Sequence, residues 1–199
     1  MVKKIVITNE KGGTGKSTIA ALLVEYLNYK GNKVQLIDTD PLQTAQTWVN
    51  NCQQEGRLVS QRVKPEYQIV DTAGTSGSAY GWIRGADLVV VPLQMHYADL
   101  KVTIDWFQNQ RDEIRVKTVF LPNRWQNTIE QREGAKQLQN LVQVVQQGQI
   151  LVPLTNRAAV YGLVLNGSPA NFFQQTDKTK SQEAQTIMGQ ILKIAKKVK

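Results

Sequence analysis

The residues best equipped for chemistry in this chain come early: Lys11-Gly12-Gly13-Thr14-Gly15-Lys16-Ser17-Thr18. Glycines at 12, 13 and 15 let main-chain N–H groups turn inward on one anion with no Cβ in the way. A lysine and a hydroxyl follow at once. Lys16 is expected to reach the β- and γ-phosphates of a nucleoside triphosphate, and the Ser17 hydroxyl to hold Mg²⁺. The general phosphate-loop pattern, Gly-x-x-x-x-Gly-Lys-Ser/Thr, fails at one position, because its first glycine is Glu10 here. A second lysine, Lys11, stands at the mouth of the loop. One lysine already serves the phosphates, so Lys11 calls for a separate explanation.

Carboxylates follow at informative places. Asp38 closes the apolar run Val34–Asp38, and Asp40 comes two residues later in Asp38-Thr39-Asp40-Pro41. Asp71 closes a second run, Tyr67–Asp71, ahead of Thr72-Ala73-Gly74. In an open parallel sheet, ligands collect beyond the carboxyl ends of the strands. All three acids are therefore expected near the loop, with Asp71 holding a Mg²⁺-bound water. Asp40 has a plainer role open to it as well, the N-cap of a helix whose first residue is Pro41. Asn123-Arg124 follows a fifth apolar run and reads equally well as a turn.

These groups need a scaffold, and the hydrophobic pattern supplies one. Strands are expected at Lys4–Thr8, Val34–Asp38, Tyr67–Asp71, Asp87–Pro92, Val116–Leu121 and Gln149–Pro153. Helices are expected at Ser17–Lys30, Ala98–Ile114, Glu130–Gln147 and about Ser181–Val198. The first helix shows Ile19, Leu22, Leu23, Tyr26 and Leu27 on one face. Gly31-Asn32 ends it. Continuous β-branched runs separated by helices predict an α/β domain, a mostly parallel twisted sheet with helices on both faces. The glutamine-rich stretch Gln137–Gln149 carries valines and leucines at helical spacing, so it is expected to be a solvated helix. At 199 residues, one such domain over 1–199 is expected, with no room ahead of the first strand for a helix-turn-helix domain.

Composition limits the alternatives. Cys52 is the only cysteine and His96 the only histidine, so an intrachain disulfide is excluded and a zinc or His-based triad site is poorly supplied. No apolar run reaches the roughly 18 residues of a membrane helix. The polar stretch Thr8–Lys11 cuts the N-terminal run too short for a signal peptide, so a cytoplasmic protein is expected. The formal net charge of +8 favours a polyanionic partner, nucleic acid or an anionic membrane.

Together, the lysine-flanked loop, Asp38-x-Asp40-Pro41 and Tyr67–Gly74 resemble the ParA/MinD family of deviant Walker ATPases. The likeness is strongest to short plasmid-type ParA partition ATPases, and it covers essentially the whole chain. Asp40-Pro41…Trp48, Ala86–Pro92 and Leu154-Thr155-Asn156-Arg157 look like the same group. The resemblance implies an Mg²⁺-dependent ATPase that closes into a sandwich homodimer on ATP, with Lys11 crossing to the partner's nucleotide. Asp40 would orient the attacking water, and Asp38 would help position Mg²⁺. Asp71 would be the Walker B acid, Thr72-Ala73-Gly74 a switch that senses the γ-phosphate, and Asn123 an adenine contact. The family's Gln after Asp-Pro is displaced here: Leu42 follows Pro41, and Gln43 comes next. The resemblance further implies non-specific, nucleoid-associated DNA binding by the ATP dimer. A ParB-like centromere-binding adaptor would stimulate hydrolysis and release it. Arg157, Lys178, Lys180, Lys193, Lys196 and Lys197 are the candidate DNA contacts, although a lysine-rich helix face can be merely solvated. Two alternatives stay open. One is a MinD-like membrane-positioning ATPase using the basic amphipathic C-terminus Ile187–Lys199, and the other is a P-loop metabolic ligase.

Overall fold

A computed structural model describes residues 2–57, 59–60, 64–74, 77, 79–165, 172–175 and 178–197. The chain runs β1 (Lys3–Ile7), α1 (Lys16–Tyr29), β2 (Val34–Asp38), α2 (Thr44–Gln54), β3 (Tyr67–Asp71), α3 (Ala79–Arg84), β4 (Leu88–Leu93) and α4 (Tyr97–Gln108). It continues with α5 (Asp112–Arg115), β5 (Thr118–Pro122), α6 (Ile129–Val145), β6 (Gln149–Ile150), α7 (Ala158–Leu165), α8 (Phe172–Gln175) and α9 (Lys178–Lys197). The described strands form one six-stranded sheet in the order β2-β3-β1-β4-β5-β6, and every pairing is parallel.

Alternation along each strand explains the two helical layers. Ile5 and Ile7 join one core with α1, α2, α7 and α9, while Val6 joins a second core with α3, α4 and α6. On β4, Leu88 and Val90 point to the first core, and Val89, Val91 and Leu93 to the second. Both parities must be apolar, which is why the strands read as unbroken Val/Ile/Leu runs. The chain winds outward from β1 to β2, returns through β3, and crosses to the other side of β1 at β4. The loop after β1 therefore leads into one layer and the loop after β4 into the other. Their carboxyl ends border the crevice where an open α/β sheet binds ligands.

Several elements differ from the sequence expectation. The first helix is buried on nearly every side: Ala20, Ala21 and Val24 are as inaccessible as the expected face. The reason is a second cover of helices, since α2, α7, α8 and α9 all pack on α1. That burial takes in Glu25, which pairs with Arg57 at 3.0 Å. The helix expected over Ala98–Ile114 is two helices, because Arg111 adopts an extended backbone (ψ 156°) between α4 and α5. The last strand spans two residues, not Gln149–Pro153. Leu151 N–H still bonds the Phe120 carbonyl at 2.9 Å, and Pro153, lacking an N–H, cannot extend the ladder. Helices α3, α7 and α8 have no counterpart in the expected elements, and α2 begins at Thr44, not at Pro41.

The C-terminal helix buries Ile187, Met188, Ile191, Leu192 and Ala195 against α1 and β4. Its apolar face is thus consumed within the domain, and Lys193, Lys196 and Lys197 face solvent. The side chains of Lys178 and Lys180 lie outside the described residues, as does Val198. No described helix is long and apolar enough to cross a membrane.

Helix α6 approaches the end of β4 closely at Gly134, where a Cβ would sit 2.7 Å from the Met95 carbonyl oxygen. Alanine would gain about 1 kcal/mol of helix propensity. Forcing a methyl onto a backbone oxygen costs about 1–3 kcal/mol, so the clash outweighs that gain. Gly134→Ala is expected to lower the melting temperature by a few degrees. Thermal unfolding followed by circular dichroism checks it, and an unchanged or raised midpoint would show that α6 can slide freely.

Candidate nucleotide site

The glycine loop spans the gap between β1 and α1. Gly13 and Gly15 have φ of 75° and 97°, the left-handed region that side-chain-bearing residues disfavour. Gly15 is doubly constrained, because a Cβ there would collide with the Asn123 side-chain amide. That amide donates to the Thr14 carbonyl at 2.7 Å, and its oxygen accepts from Arg124 N–H. Asn123 is buried at the end of β5. It braces the loop from the far side, a task that its expected adenine contact did not suggest. Gln94, after β4, reaches the Gly13 carbonyl at 3.4 Å.

The two lysines are separated by environment. Lys16 is buried at the start of α1, and its ammonium donates to the Lys11 carbonyl at 3.2 Å. Burial lowers its pKa, and the charges of Asp71 and Asp40 oppose that shift. Lys11 is half-exposed, with its ammonium 4.0 Å from Asp99 in the first turn of α4. Its backbone N–H is fixed by Asn9 Oδ1 at 2.9 Å. The Asn9 amide in turn donates to the Pro92 carbonyl and the Thr103 hydroxyl. Asn9 therefore ties the ends of β1 and β4 and the side of α4 to the loop's mouth. Sequence reasoning passed over Asn9 and Gln94. The available signal was a side-chain amide within two residues of an apolar strand end.

The three acids gather beside the loop as expected, in different states. Asp71 is fully buried, and neither carboxylate oxygen has a hydrogen bond of normal geometry. Burial pushes its carboxyl up to about 7, and the charges of Asp38 and Asp40 add to the rise. The nearby Ser17 hydroxyl and the Lys16 ammonium pull the other way. Asp38 is occupied: it accepts from Asp40 N–H at 2.9 Å and from Ala45 and Gln46 N–H at 3.0 Å. Two of these donors belong to the first turn of α2, so Asp38, not Asp40, serves that helix end. The expected Asp40–Pro41 cap is corrected accordingly, since α2 starts at Thr44 and Asp40 turns the chain by accepting from Leu42 N–H. Thr39 and Thr72 bond the carbonyls of Asp71 and Ile7, which locks the ends of β1, β2 and β3 together. Gly74 sits against the loop: a Cβ there would be 3.2 Å from the Lys16 ammonium.

No cluster of three or more His, Cys, Asp or Glu side chains that could hold a metal alone exists among the described residues. Mg²⁺ does not need one, because it keeps its waters and takes one or two protein ligands beside phosphate oxygens. An orphaned, buried carboxylate next to a serine hydroxyl fits that kind of ion.

Beyond Gly15 and Thr18 opens a cavity of about 360 Å³, a size suited to a nucleoside. Asn123, Arg124 and Gln126 line one wall, and Thr155, Arg157 and Tyr161 another. The wall segments are stitched by Trp125 N–H to the Leu154 carbonyl and by Asn156 N–H to the Trp125 carbonyl, both at 2.9 Å. The candidate DNA residue Arg157 is thus found at the lip of this cavity.

Residues 5–196 match the family model of the CobQ/CobB/MinD/ParA nucleotide binding domain. The chain belongs to this family. Its ParA- and MinD-type members are nucleotide-binding ATPases. A stretch of 40 residues is 48% identical to the chromosome-partitioning ATPase Soj of Thermus thermophilus, covering 20% of this chain and only 16% of that protein. The fold is shared with MinD of Pyrococcus horikoshii solved with Mg-ADP, at a TM-score of 0.71, 15% identity and 98% coverage of both chains. It is shared with apo McdA of Cyanothece, at 0.70 and 16% identity, over 96% of this chain and 100% of that one. A candidate plasmid partition protein of Borrelia burgdorferi bound to AMPPNP matches at 0.67 and 15% identity, over 98% of both chains.

Asp71 gives the site a pH signature. Its folded pKa, about 7, lies above the ordinary 3.8. Between these values the folded protein holds a proton that the unfolded chain has released. Stability from this group is therefore present below about pH 4 and lost as pH rises through 7. Asp71→Asn, with no charge to bury, is expected to melt above the parent at pH 8 without nucleotide and to lose that advantage at pH 4. Equal midpoints at both pH values would mean that the carboxylate is solvated.

Proposed function

We propose that this chain is an ATP-driven partition ATPase, one domain over 1–199 that works as a homodimer on DNA in the cytoplasm. The observation that carries the reading is the division of labour between two loop lysines. Lys16 is buried at the helix start, where the backbone amides and helix dipole also favour phosphate. Lys11 is half-exposed at the mouth, held only at 4.0 Å by Asp99. A lysine so placed can leave its own subunit and meet the nucleotide of another.

In this reading Gly12 to Thr18 cradle the phosphates, and Asn123 supports the cradle while bordering the base. Ser17 and Asp71 hold Mg²⁺ and its waters, with Asp38 behind them through its less occupied oxygen. The bound ion neutralises charge on the phosphate oxygens. Asp40 orients the attacking water, which suits phosphoryl transfer, where positioning and electrostatics dominate. ATP closes the dimer, DNA binds the closed form without sequence preference, and a ParB-like adaptor stimulates hydrolysis. The DNA would meet the exposed lysines of α9 together with Arg157, Lys178 and Lys180. The net charge of +8 supports a polyanionic partner, as does similarity to a chromosome-partitioning ATPase.

Light scattering with ATP and Mg²⁺ tests the core of this proposal. Lys16→Ala is expected to lose nucleotide binding. Lys11→Ala should bind ADP as a monomer yet fail to dimerise on ATP. Asp40→Ala should dimerise but hydrolyse ATP slowly. An unchanged ATP dimer in Lys11→Ala would remove the cross-subunit role.

DNA affinity should require ATP and fall steeply with salt. Three exposed lysines per protomer imply roughly six phosphate contacts per dimer, or about a 10³-fold loss between 50 and 200 mM salt. Replacing Lys193, Lys196 and Lys197 by alanine should flatten that slope. A slope in the triple variant equal to the parent's would remove these three lysines from the DNA contact.

A further inference from the structure

The far wall of the nucleoside-sized cavity is held by a residue that does not itself line it. Glu183, on α9, accepts from Thr155 N–H at 3.0 Å and from the Thr155 hydroxyl at 2.9 Å. It also accepts from the Tyr161 hydroxyl at 2.7 Å, and the Arg157 guanidinium lies 4.0 Å away. Thr155, Arg157 and Tyr161 all face the cavity. One carboxylate on a distant helix thus gathers the loop before α7, the first turns of α7 and a cationic side chain.

We propose that Glu183 is a positioning residue for the base end of the nucleotide. The proposal rests on the nucleotide reading of the cavity. The loop Leu154–Arg157 belongs to no strand. Backbone bonds tie Leu154 to the Pro122 carbonyl, and Leu154 and Asn156 to Trp125. These fix its main chain, whereas Glu183 also fixes the side chains of Thr155 and Tyr161 that face the cavity. Tyr161 is buried, and burial together with Glu183 raises its pKa strongly, so its hydroxyl stays protonated and keeps donating. The phosphate end is built differently, from the glycine loop, Lys16 and Asn123, none of which bonds Glu183. The two ends of the site are therefore separable. Loss of Glu183 releases the base wall and leaves the phosphate cradle standing.

That separation supplies the test, because inorganic tripolyphosphate presents the phosphates with no base or ribose. Calorimetry with Mg²⁺ is run on the full chain with ATP and with tripolyphosphate. Glu183→Ala is expected to weaken ATP by about tenfold or more, the scale of one or two lost buried hydrogen bonds, and to leave tripolyphosphate unchanged. Glu183→Gln keeps an oxygen to accept from Thr155 N–H and can donate its two amide N–H groups to the hydroxyl oxygens of Thr155 and Tyr161, so it should stay within about threefold of the parent. Tyr161→Phe removes one partner with minimal disturbance and should weaken ATP alone by about threefold. It also serves if Glu183→Ala does not fold. Unchanged ATP affinity in Glu183→Ala, or in Tyr161→Phe where Glu183→Ala does not fold, overturns the proposal. So does a parallel loss of ATP and tripolyphosphate in a folded variant. A parent protein that binds neither ligand would sink the nucleotide reading itself, which is a different failure.

Discussion

Lys16 and Asp71 are buried close enough at the carboxyl end of the sheet that each shifts the other's proton affinity. They make no direct ion pair in the described structure, and no donor meets the Asp71 carboxylate in normal hydrogen-bond geometry, although the Ser17 hydroxyl lies near it. Such an arrangement is costly, since a buried charge without a full set of partners destabilises the fold by several kcal/mol. The surrounding chain must therefore hold the two groups apart. The parallel ladder does so for Asp71, whose place opposite Ile7 and Asp38 is fixed by register. The Lys11 carbonyl does so for Lys16. A triphosphate with its metal ion would satisfy both groups at once. The instability of the site and its affinity then have one origin.

The bracing of the loop follows from the same constraint. A strained glycine turn carrying a half-satisfied lysine would collapse if it were supported only by its two ends. Asn9, Gln94 and Asn123 come from the ends of β1, β4 and β5, the strands bordering the crevice on that side. Each uses a side-chain amide, a group that can donate and accept without adding charge. A charged residue in these places would compete with Lys16 and Asp71 for the same ligand. The preference for neutral amides around the loop is thus electrostatic as well as geometric.

Much of this was legible in the sequence because it is local. The loop glycines, Lys16, Ser17 and the strand-terminal Asp71 announce themselves by type and spacing, and the family likeness and sheet fold follow. What stayed hidden depends on contacts between distant segments. Periodicity showed one face of α1, yet Ala20, Ala21 and Val24 are buried because helices from the end of the chain cover a second face. Asp38 read only as a metal residue, yet one of its oxygens also meets the amides of Ala45 and Gln46, and the helix suggested after Asp40-Pro41 begins instead at Thr44. A helix with as many polar residues as Thr44–Gln54 gives a weak signal until its partner surface is known. Asn123 matched a motif for one reason and turned out to have a second, which only its contact with Thr14 reveals.

Glu183 extends this lesson to the other end of the site. Its helix is amphipathic, and by pattern alone a glutamate on it belongs to the solvated side. The structure instead turns it inward to Thr155 and Tyr161, while Ile187 and Ile191 farther along the helix anchor α9 on the core. The same helix exposes Lys193, Lys196 and Lys197. One helix therefore carries the support of the cavity wall at one end and a cationic surface at the other. The buried apolar stripe between them fixes both ends to the same core, so the position of Glu183 beneath the Leu154–Arg157 loop is set by the packing that also presents the lysines.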